Sequence, residues 1–225
     1  KQEIVKQEAS NDPRQDSKFG YESATKEFKT SIVFPAGGIE ANIDRQLSFI
    51  LKTIAGFQNT GGGELYIGVN DSGSISGVND DFKYLNSSGT DTYTYTENID
   101  GFELKIRNAV KQTMGGISNS HIDFHFNKEN NRDYVLLKIK EVNRPVFVNG
   151  IKLFQRTGNM TQLLKGDEIT YFIENRLQVR KTEIETIQIP DSSVDEIVPE
   201  IINTKQEVKT IENQPPAFYL PPLTD

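Results

Sequence analysis

Three carboxylates in this sequence are of a type that could carry out hydrolytic chemistry together. Glu22 and Glu27 lie near the start of the chain, and Asp71 follows an apolar stretch further along it. A metal-dependent phosphodiesterase needs two or three acidic oxygens that converge on Mg²⁺ or Mn²⁺, which activates water and neutralises charge on the phosphate. Glu22, Glu27 and Asp71 are therefore the candidate catalytic and metal-binding residues.

The spacing of the two glutamates sets a condition on this hypothesis. Side chains five residues apart on one strand point to opposite faces of the sheet, so convergence requires a turn or break near residues 23–25. Without such a turn, Glu27 is an ordinary solvated side chain on a polar strand face. Asp71 is then an ordinary residue of an Asn-Asp-Ser-Gly turn.

Four further polar residues are candidates for nucleic-acid contact. Lys29 follows Glu27 closely, and Arg156, Asn159 and Thr161 form a polar turn after a predicted strand. These side chains could bind phosphate, or they could cap and close the turn.

Two other patterns suggest sites that the sequence supports less well. His121, Asp123 and His125 share one face of a predicted strand, which could ligate a metal or form a solvated sheet surface. The glycines at 61–63 follow a predicted helix and precede a strand. Phosphate loops have the opposite order, with the helix after the glycines, so this run predicts a helix end and not a nucleotide site.

The elements that must position these residues follow from hydrophobic periodicity. We expect an α/β or α+β domain in which a mixed sheet packs against about three helices. Asn149-Gly150 between two apolar runs predicts a tight hairpin. The predicted strands are 25–34, 64–70, 122–126, 135–139 and the two flanking 149–150; the helices are 40–58, 100–114 and 167–180; the loops are 86–96 and 127–133.

Composition bounds the function and the domain organisation. The chain has no cysteine, which excludes disulfides and zinc–thiolate sites and fits a cytoplasmic location. No apolar run reaches the roughly 18 residues of a membrane span. Residues 182–225 contain nine acids and two bases, a net charge of −7, whereas residues 1–181 contain 23 of each. We therefore predict a polar lead-in at 1–17, one domain at 18–181 and an acidic tail at 182–225.

The tail carries six of the nine prolines, and two Pro-Pro pairs bracket the apolar peptide at 217–220. This composition is typical of a flexible linker. An alternative is that the peptide docks on this domain, on a second copy or on another protein.

Four motifs in order resemble the Schlafen-type AlbA-like domain family. Residues 22–29 resemble its Glu-Ser-x-x-x-Glu-Phe-Lys opening. Residues 54–62 and 66–71 are similar to its Ala-Phe-Ala-Asn-Thr-x-Gly-Gly and Ile-Gly-Val-Asp-Asp segments. Residues 144–147 and 156–161 resemble its closing Arg-Pro-Val-Tyr and Arg-x-Gly-Asn-x-Thr.

The resemblance implies a nucleic-acid partner, RNA more than DNA. It also implies that Glu22, Glu27 and Asp71 are the acids with which nuclease members cut structured RNA such as tRNA, using a divalent metal. Asn70 departs from the family's Asp at that position, and a cysteine zinc cluster is impossible here. Animal members of the family form a clamp from two lobes of one chain. This chain carries one lobe, so a clamp of that kind would require a homodimer.

Three hypotheses follow from these observations. The first is a metal-dependent endoribonuclease or general nuclease, with Lys29 and Arg156 on phosphate. The second is a non-catalytic DNA- or RNA-binding regulatory module. The third is an interaction protein that recruits a partner through its tail.

Overall fold

The computed structural model describes the backbone of residues 17–186 and the side chains as far as Arg176. The predicted tail therefore lies outside the described residues, except that a helix continues into its first five. The helices are α1 (Ile43–Gln58), α2 (Ile99–Met114), α3 (Gly116–Ser120) and α4 (Asp167–Thr186), with a 3₁₀ helix at Asn79–Tyr84. The strands are β1 (Lys26–Lys29), β2 (Gly63–Ile67), β3 (Ile122–Glu129), β4 (Arg132–Ile139), β5 (Phe147–Val148), β6 (Lys152–Thr157) and β7 (Met160–Leu163).

The larger sheet has the strand order β1-β2-β4-β3, with β1 parallel to β2 and the other neighbours antiparallel. This mixed sheet, together with the helices that pack in the same domain, confirms the predicted fold class. The hairpin β3–β4 is longer than predicted. Asn130 and Asn131 both adopt positive φ, at 49° and 61°, so two residues close a turn that we expected to span residues 127–133.

The strand predicted at 25–34 is wrong beyond Lys29. Phe28 packs with Phe19 in an aromatic cluster, whereas Ile32 enters the main core on the other side of the sheet. The chain leaves the sheet because buried Asp81 of the 3₁₀ helix holds it: its carboxylate accepts from Ser31 Oγ at 2.6 Å and from the Ile32 N–H at 3.0 Å. Burial raises the pKa of Asp81 to about 6.

Helix α1 begins after Asn42, whose Oδ1 accepts from the Arg45 N–H, and Asn59 is the cap that follows its last residue. The glycines then turn the chain directly into β2. Gly62 has a φ of 81°, and its N–H donates to Phe57 O at 2.8 Å. The structure therefore confirms that the glycine run ends a helix.

A smaller sheet, β5-β6-β7, packs against α1. Asn149 and Gly150 both have positive φ and form the predicted hairpin turn between β5 and β6. Strand β7 was not predicted. The buried Asn59 side chain joins this sheet to the helix end, donating to Val146 O and Phe154 O and accepting from the Val146 N–H.

The segment 86–98 is irregular, as predicted for 86–96, but it is anchored. Buried Lys105 of α2 donates to Asp91 at 3.0 Å, and Tyr95 Oη donates to the same carboxylate oxygen at 2.6 Å. Among the residues described, no helix is long and apolar enough to cross a membrane.

Candidate functional site

A tight turn brings Glu22 back beside the strand that carries Glu27. Ser23 and Lys26 pair across the turn, and the Ser23 N–H donates to Lys26 O at 2.9 Å. Glu22 Oε1 then accepts from the Phe28 N–H at 2.9 Å, along the free edge of β1. The turn that the sequence hypothesis required at residues 23–25 is therefore present.

Glu27 lies between two cations. Its Oε1 accepts from Lys29 Nζ, and its Oε2 lies 2.7 Å from Arg156 Nη2. The second contact is an ion pair without hydrogen-bond alignment, since Glu27 Oε2 and Arg156 Nε have no hydrogen-bond partner among the described residues. The carboxylate is nearly buried, and its charge is balanced on both oxygens.

Arg156 is buried beneath the Ser23–Lys26 turn and binds its carbonyl groups. Its side chain is 1% exposed, with the guanidinium 4.8 Å from the centre of the Phe57 ring. Nη2 donates to Ser23 O at 2.8 Å and to Lys26 O at 3.2 Å, and Nη1 donates to Thr161 Oγ1 at 3.1 Å. A phosphate would have to displace these contacts, so the structure points to a positioning role in place of the predicted phosphate contact.

The other predicted nucleic-acid-binding residues have different surroundings. Thr161 is buried against α1, where a Cβ at Gly56 would lie 2.7 Å from its Cγ2, so it too packs inside the domain. Asn159 is exposed in the turn between β6 and β7. Lys29 is partly exposed, and its ammonium also donates to Phe28 O at 2.9 Å. Lys29 and Asn159 remain accessible to a ligand.

Asp71 lies in the turn that follows β2. The neighbouring Asn70 builds this turn, because its Oδ1 accepts from the N–H groups of Ser72 and Ser74 at 3.1 and 2.9 Å. Asn70 thus has a local structural role where the related family has Asp. The Asp71 side chain is exposed.

Electrostatics link the three acids, which we call the acid group. Burial raises the pKa of Glu22 most, and the charges of Glu27 and Asp71 raise it further; the Phe28 N–H and Lys29 oppose the change. The fold therefore places all three carboxylates and Lys29 within electrostatic range of one another, although they come from three separate backbone segments.

The acid group in this arrangement does not fit a shared divalent cation. Glu27 offers no free oxygen, because Lys29 and Arg156 engage both. Within the described part of the chain, no three His, Asp or Glu side chains are grouped closely enough to hold a metal ion. This applies equally to His121, Asp123 and His125: Asp123 pairs with Lys140 at 2.8 Å, and His121 Nδ1 lies 2.8 Å from Ile117 O.

The internal contacts of Arg156 are what sequence reasoning missed. Arg156 lies 133 residues from Ser23, whose carbonyl it binds, and no spacing rule connects two such positions. The Arg-x-Gly-Asn-x-Thr pattern gave the only signal, and it did not distinguish a ligand contact from an internal one.

This chain is similar to a known family and to a solved structure. The family model for Schlafen, AlbA_2 matches residues 22–165, more than half of the chain. The chain is also similar to the crystal structure of the DIP2311 protein from Corynebacterium diphtheriae, at 14% identity and a TM-score of 0.44. That match covers 66% of this chain but 27% of the DIP2311 chain. No curated protein matches the chain.

Proposed function

Because this chain belongs to the Schlafen AlbA_2 family, a nucleic-acid-related family, we propose that it binds nucleic acid and cleaves phosphodiester bonds at the acid group. The substrate proposed is structured RNA such as tRNA. The family match spans the acid group and all four candidate nucleic-acid-binding residues.

The observation that carries this proposal is the return of Glu22 to the edge of β1. The Ser23–Lys26 turn and the Asn70–Gly73 turn bring carboxylates from separate segments into one electrostatic group. A raised carboxyl pKa beside like charges is typical of sites that transfer protons or bind cations. The ion pairs of Glu27 with Lys29 and Arg156 would not by themselves require the charge of Asp71 to act on Glu22.

The side chains have distinct roles in this proposal. Glu22 exchanges a proton with the attacking or leaving oxygen, since its raised pKa moves it towards neutral pH. Lys29 neutralises charge on the phosphate. Arg156 keeps Glu27 and the Ser23–Lys26 turn in place and does not touch the substrate. Asp71 is the exposed member of the group and faces the bound substrate.

The test is cleavage of labelled tRNA by the full chain, with and without Mg²⁺, Mn²⁺ and a chelator. We expect Glu22→Gln and Asp71→Asn to lower the cleavage rate roughly 100-fold or more. Glu40→Gln and Asp80→Asn are the matched controls, because both residues are exposed acids outside the acid group, and we expect wild-type rates from them.

Intact tRNA under every condition, or equal cleavage by Glu22→Gln and Glu40→Gln, would contradict the proposal. Cleavage that a chelator abolishes and Mn²⁺ restores would support the predicted metal cofactor. Because Glu27 has no free oxygen, such a result would also require Lys29 to leave Glu27 when the ion binds.

The second candidate function is a non-catalytic DNA- or RNA-binding regulatory module. It is favoured by the pairing of Glu27, which is that of a structural ion pair. This function predicts salt-sensitive binding that survives Glu22→Gln and Asp71→Asn with no cleavage by the wild type. The predicted homodimer remains a proposal, which analytical ultracentrifugation with and without RNA can test.

A further inference from the structure

A cavity of about 450 Å³ lies beside the turn that carries Asp71. It is lined by one side of that turn, Gly73–Ile75, and by Lys18 and Phe19. From the β3–β4 hairpin, Glu129, Asn130 and Arg132 line it. We call it the hairpin cavity. Ligand pockets in proteins occupy roughly 300–1,000 Å³, so the hairpin cavity is large enough for a nucleotide unit.

The charged groups of the hairpin cavity favour an anion. Two cations, Lys18 and Arg132, face one carboxylate, Glu129. Lys18 Nζ donates to Glu129 Oε2 at 2.5 Å and to Tyr134 Oη at 3.3 Å, so its charge is partly balanced. Arg132 is the cation that remains available.

Arg132 is exposed and already oriented. Its Nη1 donates to Ile75 O at 2.8 Å, which fixes the guanidinium against the Asp71 turn, and it takes part in no ion pair among the described residues. A guanidinium has five N–H donors, so the remaining ones can bind two oxygens of a phosphate. Arg132 thus has N–H donors that a phosphate can reach, whereas those of buried Arg156 are enclosed in the domain.

The turn connects the hairpin cavity to the acid group. Asp71 lies two residues before Gly73, and the Gly73 N–H closes the turn by donating to Asn70 O at 2.8 Å. A strand whose backbone passed the Asp71 turn could therefore place one of its phosphates in the hairpin cavity. Contacts of this kind fix the register of a nucleic acid without reading its sequence.

We propose that the hairpin cavity binds a backbone phosphate of the nucleic acid through Arg132, with Lys18 as the second cation. The inference rests on the proposed function in that nucleic acid is the ligand. It does not depend on cleavage, because a phosphate contact contributes to binding in either candidate function.

The test measures binding of labelled tRNA by fluorescence anisotropy over a series of salt concentrations, in chelator, with the full chain. We expect Arg132→Gln to weaken binding roughly three- to tenfold and to reduce the slope of log K against log salt by about one. Glu129→Gln removes the negative charge from the same cavity, so we expect it to tighten binding. This opposite effect cannot arise from misfolding.

The matched control is Arg144→Gln, which removes an exposed arginine outside the hairpin cavity, and we expect a wild-type slope from it. Slopes that are equal in the wild type, Arg132→Gln and Glu129→Gln would overturn the inference while leaving the proposed function standing. tRNA binding without cleavage would overturn only the proposed cleavage, and no binding by the wild type would overturn both.

A free anion could use the same chemistry as a polynucleotide phosphate. Titration of the wild type with inorganic phosphate, at constant ionic strength, distinguishes them. We expect phosphate to displace tRNA only at concentrations far above those of a competing oligonucleotide. Displacement at equal concentrations of phosphate groups would identify a free-anion site and overturn the polynucleotide as ligand.

Discussion

At the scale of single residues, the candidate site depends on the contact between Glu27 and Arg156. A buried ion pair adds little net stability, but removal of one partner leaves an uncompensated charge in the interior. Arg156 also binds the carbonyls of Ser23 and Lys26, so its loss releases the turn that returns Glu22 to β1. One side chain thus supports both glutamates of the acid group.

We expect Arg156→Gln to lower the free energy of unfolding by about 3–5 kcal/mol, because it leaves Glu27 Oε2 without its cation in a buried site and removes the contacts of Arg156 with the turn. Glu27→Gln should cost less, since Arg156 keeps its backbone acceptors. The double variant should lose less unfolding free energy than the two single variants lose together, by about 1–3 kcal/mol. Urea denaturation measures all three.

Arg144→Gln serves as the control for this cycle, and a surface substitution of that kind should change stability by less than about 0.5 kcal/mol. Strictly additive losses for Glu27 and Arg156 would show that the two side chains do not interact in solution.

At the scale of elements, the connection from α1 to β2 determines where Asp71 lies. Gly61 and Gly62 have φ values of 77° and 81°, a region that favours glycine. They differ in surroundings: a Cβ at Gly62 would lie 2.5 Å from Ile139 O of β4, whereas a Cβ at Gly61 would meet nothing within 4 Å. The close approach at Gly62 allows β2 to pair with β4 directly after the helix.

These two glycines provide a matched pair of variants. We expect Gly61→Ala to cost about 1–2 kcal/mol, the conformational cost alone. Gly62→Ala should cost about 1–3 kcal/mol more, because the backbone of β4 must move. Denaturant unfolding gives both values, and similar losses for the two variants would argue against the close approach.

At the scale of the whole molecule, the charge distribution sets how the chain meets a polyanion. Residues 1–181 are neutral overall, and residues 182–225 carry the entire net charge of −7. Like charges repel over about one Debye length, which is roughly 10 Å at 0.1 M salt. A nucleic acid that came within that distance of the acidic residues would therefore be repelled by them.

Replacing Asp191, Asp195, Glu196 and Glu200 with their amides changes the net charge from −7 to −3. We expect this variant to bind tRNA several-fold more tightly at low salt, with the difference vanishing as salt screens the charges. Anisotropy titrations at two salt concentrations test this. Equal or weaker binding by the variant at low salt would contradict it.

The mixed sheet, the three long helices, the Asn149–Gly150 hairpin and the helix end at the glycines were predictable from the sequence alone. These features depend on local periodicity and on turn residues with positive φ, which contacts along a short stretch of chain dictate. The sequence also pointed to Glu22, Glu27 and Asp71 as candidates and to the turn that their convergence would require.

The side chains that contact those acids could be found only from the tertiary structure. Arg156 and Thr161 fit a phosphate-binding pattern in the sequence, but packing against Phe57 and Gly56 buries both. Arg132 showed no motif, yet the β3–β4 hairpin places it beside the Asp71 turn, as Ile75 shows by accepting its hydrogen bond. Burial and neighbours depend on contacts between distant segments, and residue spacing within one segment carries no information about them.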